Sequence, residues 1–306
     1  MVPRYVIRML GSPHEIRKAL LSDRACLLVG GERRAEFLQG LITNDVESLP
    51  EGEARFAALL TPQGKILFDF FVLNTGGAFI IDCAASLAAE LQKRLTFYRL
   101  RAKVDIADIT AQCRVAAVWG QNAEASVREC GAMAFKDPRL PDLGWRVLLR
   151  DPVAIAKVSG DDFLAYEGMR IGLAVPEGGK DYKLGDTFPH EACLDLLHGV
   201  DFKKGCYVGQ EVVSRMQHRG TARTRVVSVL GDTPLEPGVS LTVDGFPIGR
   251  LGSASGTSGI ALARLDRAAE AIETGQQILA GAVAVRLSVP KWASYSLSVA
   301  PEEAAH

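Results

Sequence analysis

The stretch KKGCYVGQEVVSRMQHRG, residues 203–220, places a cysteine and a tyrosine between two glycines and directly after two lysines. The spacing of Gly205 and Gly209 indicates a sharp turn, or the close approach of another group to the backbone. A cation beside Cys206 favours its thiolate, which is the nucleophilic and metal-binding form of the side chain. The combination predicts a functional site. The alternative interpretation is a buried cysteine packed as a small hydrophobe.

The composition is that of an ordinary folded protein, with 48% hydrophobic and 23% charged residues among 306. That length predicts two or three domains. The net charge of −1 excludes a nucleic-acid footprint spread over the whole chain. No apolar stretch is long enough to span a bilayer, and the opening residues MVPRYVIRML do not have the pattern of a signal peptide.

The cysteine pattern predicts neither a zinc motif nor a redox motif. Six cysteines are scattered along the chain: Cys26, Cys83, Cys113, Cys130, Cys193 and Cys206. None forms a CxxC pair, and the spacing of His190 and His198 around Cys193 is not typical of a metal site. Since no secretion signal is visible, the pattern predicts a protein of the reducing cytoplasm.

Apolar runs separated by turn signals predict an α+β body in the first two thirds of the chain. RACLLVG predicts a buried strand, and GERRAEFLQGLITNDV predicts a helix that ends near residues 43–45. ARFAALL, ILFDFFVL and AFIIDC, separated by Pro-Gln-Gly and Thr-Gly-Gly, predict a β-meander. AASLAAELQKRLTFYRL, NAEASVREC and DDFLAYEGMRIG predict helices, and CRVAAVWG and GWRVLLR predict strands.

The pattern changes from about Thr224 onward. Short strand-like runs such as TRVVSVLG and AVAVRLSV follow one another, separated by turns such as Asp244-Gly245, which predicts a small barrel or sandwich. We therefore predict an α+β body over residues 1–222 and a β-barrel over residues 223–306. The connection VPEGGKDYKLGDTFPHE is long and polar, and connections of that length are often functional or mobile.

KGCYVGQE resembles the signature of the YgfZ family, which comprises folate-binding relatives of the glycine-cleavage T-protein, an aminomethyltransferase. FLQGLITNDV with TPQGKILFDFFV is similar to the N-terminal pattern of that family, and IGRLGSASGTSGIALARL is similar to the barrel shared with T-proteins. The resemblance covers nearly the whole chain. It implies a T-protein-like fold, with two interwoven α+β modules around a central channel and a C-terminal β-barrel.

The resemblance also implies a function and a site. Members of the family assist the maturation of 4Fe–4S enzymes, including radical enzymes that modify tRNA, and depend on tetrahydrofolate. The implied partners are client enzymes and iron–sulfur carrier proteins, and the implied ligand is tetrahydrofolate or a one-carbon derivative. Cys206 is the implied reactive thiol and a shared or transient iron–sulfur ligand. The implied folate contacts are Asn44, Asp45, Asp69, Lys204, Tyr207, Gln210, Glu211 and Arg225.

The chain departs from the T-protein pattern at two positions, which weakens the alternative of a folate-dependent aminomethyltransferase. T-proteins carry two adjacent aspartates where Phe68 and Asp69 stand here, and phenylalanine cannot hold an amine by a charge-assisted hydrogen bond. T-proteins carry a pterin-binding glutamate where Gly172 stands, and glycine offers no side chain for that contact.

Two basic stretches leave further alternatives open. QKRLTFYRLRAKV is interpreted as a solvated helix face, with anion binding as the alternative. SRMQHRGTARTR follows the cysteine motif directly, so anion binding and a plain surface loop are equally favoured there. Direct RNA binding is a third function class, but the near-zero net charge and the lack of an aromatic RNA-binding motif argue against it.

Overall fold

The computed structural model describes residues 16–129, 132–151, 162–220 and 222–297. The chain divides into two compact units. The first combines Met1–Met169 with Leu197–Val212, and the second combines Arg170–Leu196 with Val213–His306. The long connection is therefore shared between the units, and the domain boundary placed near residue 222 stays a prediction.

The first unit contains a five-stranded antiparallel sheet. Its strands are β2 (Arg24–Gly30), β3 (Ala54–Leu60), β4 (Ile66–Asn74), β5 (Phe79–Ala84) and β6 (Asp105–Asp108), in the order β3-β4-β5-β2-β6. The predicted meander is β3-β4-β5. Alternate residues of β4, Phe68 and Phe70, pack into a core with Leu91 and Leu95 of helix α2 (Ala88–Arg99).

A short helix, α1 (Arg34–Gln39), follows β2 and ends earlier than the sequence predicted. Gly40 is its C-terminal cap, and the side chains of Thr43 and Asn44 hydrogen-bond main-chain groups far along the chain instead of continuing a helix. Residues 43–45 are therefore in a loop. That loop contributes to the candidate site described below.

A second sheet in the first unit is built from β1 (Arg17–Leu20), β7 (Arg114–Trp119), β8 (Met133–Lys136) and β9 (Trp145–Leu149), in the order β1-β7-β9-β8. Helix α3 (Ala123–Glu129) packs on it, and helix α4 (Phe163–Gly172) follows it in the chain. Strand β1 precedes β2 in sequence yet pairs with β7, so the two sheets are interleaved along the chain.

Buried ion pairs join side chains of these two sheets. Asp82 on β5 accepts from Arg24 at 2.6 Å and from Arg146 of β9 at 2.6 Å. Arg146 also contacts Asp137 at 3.2 Å, and its guanidinium lies 4.1 Å from the centre of the Phe71 ring. Because buried charges need partners, this network fixes the facing side chains of the two sheets relative to each other.

The second unit contains a closed antiparallel barrel. Its strands are β10 (Thr224–Gly231), β11 (Ser240–Val243), β12 (Phe246–Ser255), β13 (Ser258–Arg264), β14 (Ile278–Ala280) and β15 (Val283–Ser288), in the order β10-β13-β12-β11-β14-β15. The pairing of β15 with β10 closes it. The predicted α+β body followed by a β-barrel is confirmed, although helix α6 (Leu265–Glu273) between β13 and β14 was not predicted.

A further helix, α5 (Gln210–Arg219), follows the cysteine motif. The surface-loop interpretation of SRMQHRGTARTR is therefore wrong for its first part, which is helical. Val212 and Val213 gave only a short apolar run, and the following charged residues hid the helical periodicity.

Candidate functional site

Cys206 is exposed, at the tip of the loop that precedes α5. The other four cysteines of the described residues, Cys26, Cys83, Cys113 and Cys193, are buried. Cys130 lies outside the described residues. A thiol must be both accessible and ionisable to act as nucleophile or metal ligand, so Cys206 is the candidate that the geometry favours.

Lys204 anchors this loop to the loop that follows α1. Its ammonium group donates to the carbonyl oxygens of Gln39 at 2.9 Å, Ile42 at 2.6 Å and Asn44 at 2.8 Å. An ammonium has three N–H donors, so all three are used within the protein. Burial lowers the pKa of Lys204 to about 8, although nearby carboxylates oppose the shift. Lys204 was expected to contact a folate, whereas in the structure its ammonium group anchors the loop.

The motif glycine Gly209 anchors the other end of the loop. Its φ is +82°, and a β-carbon added there would lie 2.6 Å from the Thr61 carbonyl oxygen and 3.1 Å from Gly64 Cα. Gly64, with φ of +80°, similarly has no room for a β-carbon beside Val212. The TPQG turn and the KGCYVGQE loop therefore pack backbone to backbone, which only glycine permits.

The loop after α1 also holds the residues that precede the cysteine loop. The Asn44 amide donates to the Phe56 carbonyl at 2.8 Å and to the His198 carbonyl at 2.7 Å, and its oxygen accepts from the amide of Asp45. Thr43 donates to the Gly199 carbonyl at 2.6 Å. Both N–H donors of the buried Asn44 amide are thus used in cross-linking segments of the chain, so the geometry gives it a structural role.

Asp45 is half-buried and held by local contacts. Gln39 Nε2 donates to it at 2.7 Å, the Ser48 amide donates at 3.1 Å, and the Ser48 hydroxyl also contacts it. Burial raises the pKa of the Asp45 carboxyl, but the hydrogen bonds from Ser48 and Gln39 outweigh burial and hold the pKa below its usual value. Asp45 is therefore stabilised as a carboxylate near the ammonium group of Lys204.

Phe68 and Asp69 point to opposite faces of β4. Phe68 belongs to the hydrophobic core on the face of the sheet that packs against α2. Asp69 is buried on the other face, which also carries Phe71. Since side chains alternate along a strand, a phenylalanine here fills the core position and leaves one carboxylate on the opposite face. The arrangement provides no pair of adjacent acidic groups.

Tyr207, Gln210 and Glu211 surround the start of α5. Tyr207 is buried, its ring centre lies 5.3 Å from the Lys204 ammonium, and burial raises the pKa of its hydroxyl above the usual value. Gln210 is half-buried and Glu211 is exposed in the first turn, where a negative charge complements the helix dipole. Ligand contacts by these three residues stay predictions.

Arg225 lies in the second unit. Its Nη1 donates to both carboxylate oxygens of Asp195, at 2.8 and 2.9 Å, and to the His190 carbonyl at 2.6 Å. Its guanidinium also lies 5.3 Å from the ring centre of Tyr295, whose hydroxyl is 3.5 Å from the Cys193 sulfur. These contacts tie the connection that contains Cys193 to strand β10.

Two of the expected folate contacts have no donor free for a ligand. The donors of Asn44 and Lys204 are all engaged with main-chain carbonyls. Within the described ranges, no group of three or more His, Cys, Asp or Glu side chains could hold a metal ion. None of the helices described in the structure has the length and apolar character needed to cross a membrane.

Two family descriptions match this chain. Residues 21–148 match the GCVT N-terminal domain, and residues 223–295 match the C-terminal β-barrel domain of CAF17. Among solved structures, the glycine cleavage system aminomethyltransferase T from Bartonella henselae is similar, with a TM-score of 0.74 at 18% identity over 96% of this chain and 90% of that chain. The predicted T-protein-like fold is confirmed, and at that identity the likeness concerns the fold alone.

Curated relatives share more of the sequence. The human iron–sulfur cluster assembly factor IBA57, mitochondrial, is 33% identical over 303 residues, which cover 89% of this chain and 84% of the human protein. The homologue from Mycosarcoma maydis is 32% identical over 75% of this chain and 61% of its own length.

The expectation of a cytoplasmic protein is wrong, because these relatives are mitochondrial. It rested on the cysteine pattern and on the lack of a secretion signal. Both features fit any reducing compartment and cannot distinguish one from another.

Proposed function

Because the chain belongs to the IBA57 family of iron–sulfur cluster assembly factors, we propose that it assists the assembly or insertion of iron–sulfur clusters into client enzymes. The observation that carries the proposal is the exposed thiol of Cys206 on a loop anchored at both ends. A fixed backbone presents the sulfur without an ordering step, which lowers the entropic cost of engaging a partner.

The cluster is cargo in this proposal, and Cys206 supplies one of its ligands. Clusters with two or four irons are usually held by four thiolates, so one cysteine cannot hold such a cluster alone. The remaining ligands come from a carrier or client protein, since no group of three or more His, Cys, Asp or Glu side chains among the described residues could complete a metal site. Cys206 loses its proton when it binds iron and regains it when the cluster leaves.

We further propose that the clients are 4Fe–4S enzymes and that the donors are iron–sulfur carrier proteins. The motif KGCYVGQE supports this through its resemblance to the YgfZ signature. Radical enzymes that modify tRNA are the clients that the resemblance predicts.

Tetrahydrofolate dependence stays a prediction, and no step is assigned to the folate. Calorimetry of the full chain with tetrahydrofolate tests it. Asp69→Asn and Glu211→Gln should weaken binding if these carboxylates orient the ligand, with Glu129→Gln, an exposed carboxylate on α3, as the matched control. Tight binding together with aminomethyl transfer would instead favour the transferase alternative, against which the core position of Phe68 argues.

A deletion strain complemented with variants of the chain tests the function. Cys206→Ser should abolish the maturation of 4Fe–4S enzymes while glycine cleavage is unchanged. Lys203→Ala, at a neighbouring exposed position, should complement like the wild type. Normal 4Fe–4S enzyme activities with Cys206→Ser, at wild-type protein levels, would refute the proposal.

A further inference from the structure

Two large apolar side chains are exposed at the C-terminal end of α2, on the side of the helix that faces away from the core. Phe97 is 70% exposed and Leu100 is 85% exposed. The opposite face of the helix is the one that packs in the core, through Leu91 and Leu95. Because neighbouring exposed apolar side chains cost solvation free energy, a patch of this kind typically marks an interaction surface.

Leu100 is held outward by an unusual backbone conformation. It follows the last residue of α2 with φ of +45° and ψ of −108°, at the first central position of a turn closed by the Ala102 amide donating to the Arg99 carbonyl at 2.7 Å. Glycine, asparagine or aspartate normally occupies the first central position of such a turn, and another residue there costs about 1–3 kcal/mol. The backbone is therefore strained at a residue whose side chain is exposed and does not pack in the core.

Five cations flank this apolar pair in the sequence, in a chain whose net charge is −1. They are Lys93, Arg94, Arg99, Arg101 and Lys103. Within the described part of the chain, none of the five forms an ion pair with a carboxylate. A solvated helix face, which the sequence predicts here, explains the charges but not the exposed phenylalanine and leucine between them.

A cleft adjoins the patch. It has a volume of about 540 Å³ and is lined by Gly31, Glu32 and residues 99–105. A bilayer is flat on this scale and would meet only two apolar side chains, which is little for membrane binding. A protein segment can place a side chain in the cleft and carboxylates on the cations around it.

We propose that this surface, formed by Phe97, Leu100, Arg101 and the adjoining cleft, docks an acidic segment of a partner protein. Phe97 and Leu100 are the apolar anchors, and the cations pair with carboxylates of the segment. Aromatic residues and arginines supply most of the binding free energy at protein interfaces, and charge complementarity sets orientation and association rate. Cys206 takes no part in this contact.

Fluorescence anisotropy of a labelled synthetic peptide of glutamate and leucine residues, titrated with the full chain, tests the proposal. We expect saturable binding that weakens about tenfold in Phe97→Ser and in Arg101→Glu. Added salt should also weaken it. Phe246→Ser, at an exposed phenylalanine of the barrel, is the matched control and should bind like the wild type. A glutamate–serine peptide of equal length should bind more weakly, because it lacks the apolar side chains.

Leu100→Gly separates binding from folding, since glycine adopts the positive φ of this turn position without strain. We expect it to weaken peptide binding while the free energy of unfolding is maintained or raised. Equal affinity of all variants, or no saturable binding at millimolar peptide, would overturn the proposal. It would also be overturned if phosphatidylglycerol vesicles or single-stranded RNA bound in a Phe97- and Arg101-dependent way and the peptide did not. Because no iron is used, either outcome is independent of the proposed cluster function.

Discussion

Cys206 and Cys193 lie in the same long connection between α4 and α5, yet their thiols have opposite surroundings. Cys193 is fully buried, its sulfur is 3.5 Å from the Tyr295 hydroxyl, and burial raises the pKa of its thiol. Cys206 is exposed between the anchors formed by Lys204 and Gly209. Since both residues are cysteines, their places in the fold decide which thiol a partner can reach.

The largest effect is expected when the C-terminal anchor of the cysteine loop is broken. Gly209→Ala places a β-carbon 2.6 Å from the Thr61 carbonyl oxygen, at a backbone φ of +82°. We expect the free energy of unfolding to fall by about 2–4 kcal/mol, measured by urea denaturation. Gly205→Ala is the control, because nothing lies within 4 Å of its added β-carbon. Equal losses in the two variants would show that Gly209 is not an anchor.

Lys204→Met removes the N-terminal anchor and leaves three carbonyl oxygens without their donor. Since hydrogen bonds to charged groups contribute about 1.5–3 kcal/mol, we expect a loss of about 2 kcal/mol in urea denaturation. Hydrogen exchange should also become faster in residues 201–209. Lys203→Met, at the exposed neighbouring lysine, should change neither measurement. An unchanged stability of Lys204→Met would contradict the anchoring role.

Alanine at each cysteine separates the structural thiol from the exposed one. Cys193→Ala removes a buried side chain and its contact with Tyr295, so we expect a loss of about 1–2 kcal/mol in thermal unfolding. Cys206→Ala removes an exposed side chain and should change stability by less than about 0.5 kcal/mol. The reverse order of these two values would remove the distinction between the cysteines.

The smallest effect is expected in the pH dependence of the free energy of unfolding, through the carboxyl group of Asp45. The lowered pKa of Asp45 means that the folded state favours the carboxylate more than the unfolded chain does. Its contribution to stability is therefore present above the unfolded pKa of about 3.9 and is lost as the pH falls through the folded pKa. Urea denaturation of wild type and Asp45→Asn at several pH values should show a difference near neutrality that shrinks below about pH 4. A difference that grows in acid would reverse the assignment.

The strands could be predicted because their signals are local. RACLLVG and ILFDFFVL became β2 and β4 because apolar runs bounded by turn residues leave few alternatives. Helix α5 was missed because its residues after Val213 are mostly polar and give no apolar stripe. Helix α6 was missed because it begins directly after strand β13, and no glycine or proline marks the end of the strand.

The candidate site was predictable in part. The glycines and the cysteine of the motif predict a functional site because those residue types have special backbone and chemical properties. The role of Lys204 was not predictable, because its partners lie 160 to 165 residues earlier in the chain. Pairings over that distance arise from tertiary packing, which a single sequence does not display. The exposed pair Phe97 and Leu100 was hidden for a similar reason, since their helix also carries core leucines.

Whether Cys206 shares a cargo cluster with a partner is tested most directly by anaerobic native mass spectrometry. The full chain would be mixed with an iron–sulfur carrier protein loaded with its cluster. The proposed function predicts a complex of both proteins that retains the cluster, formed by the wild type and by Lys203→Ala but not by Cys206→Ser. Formation of the same cluster-containing complex by Cys206→Ser would contradict the assignment of Cys206 as a cluster ligand.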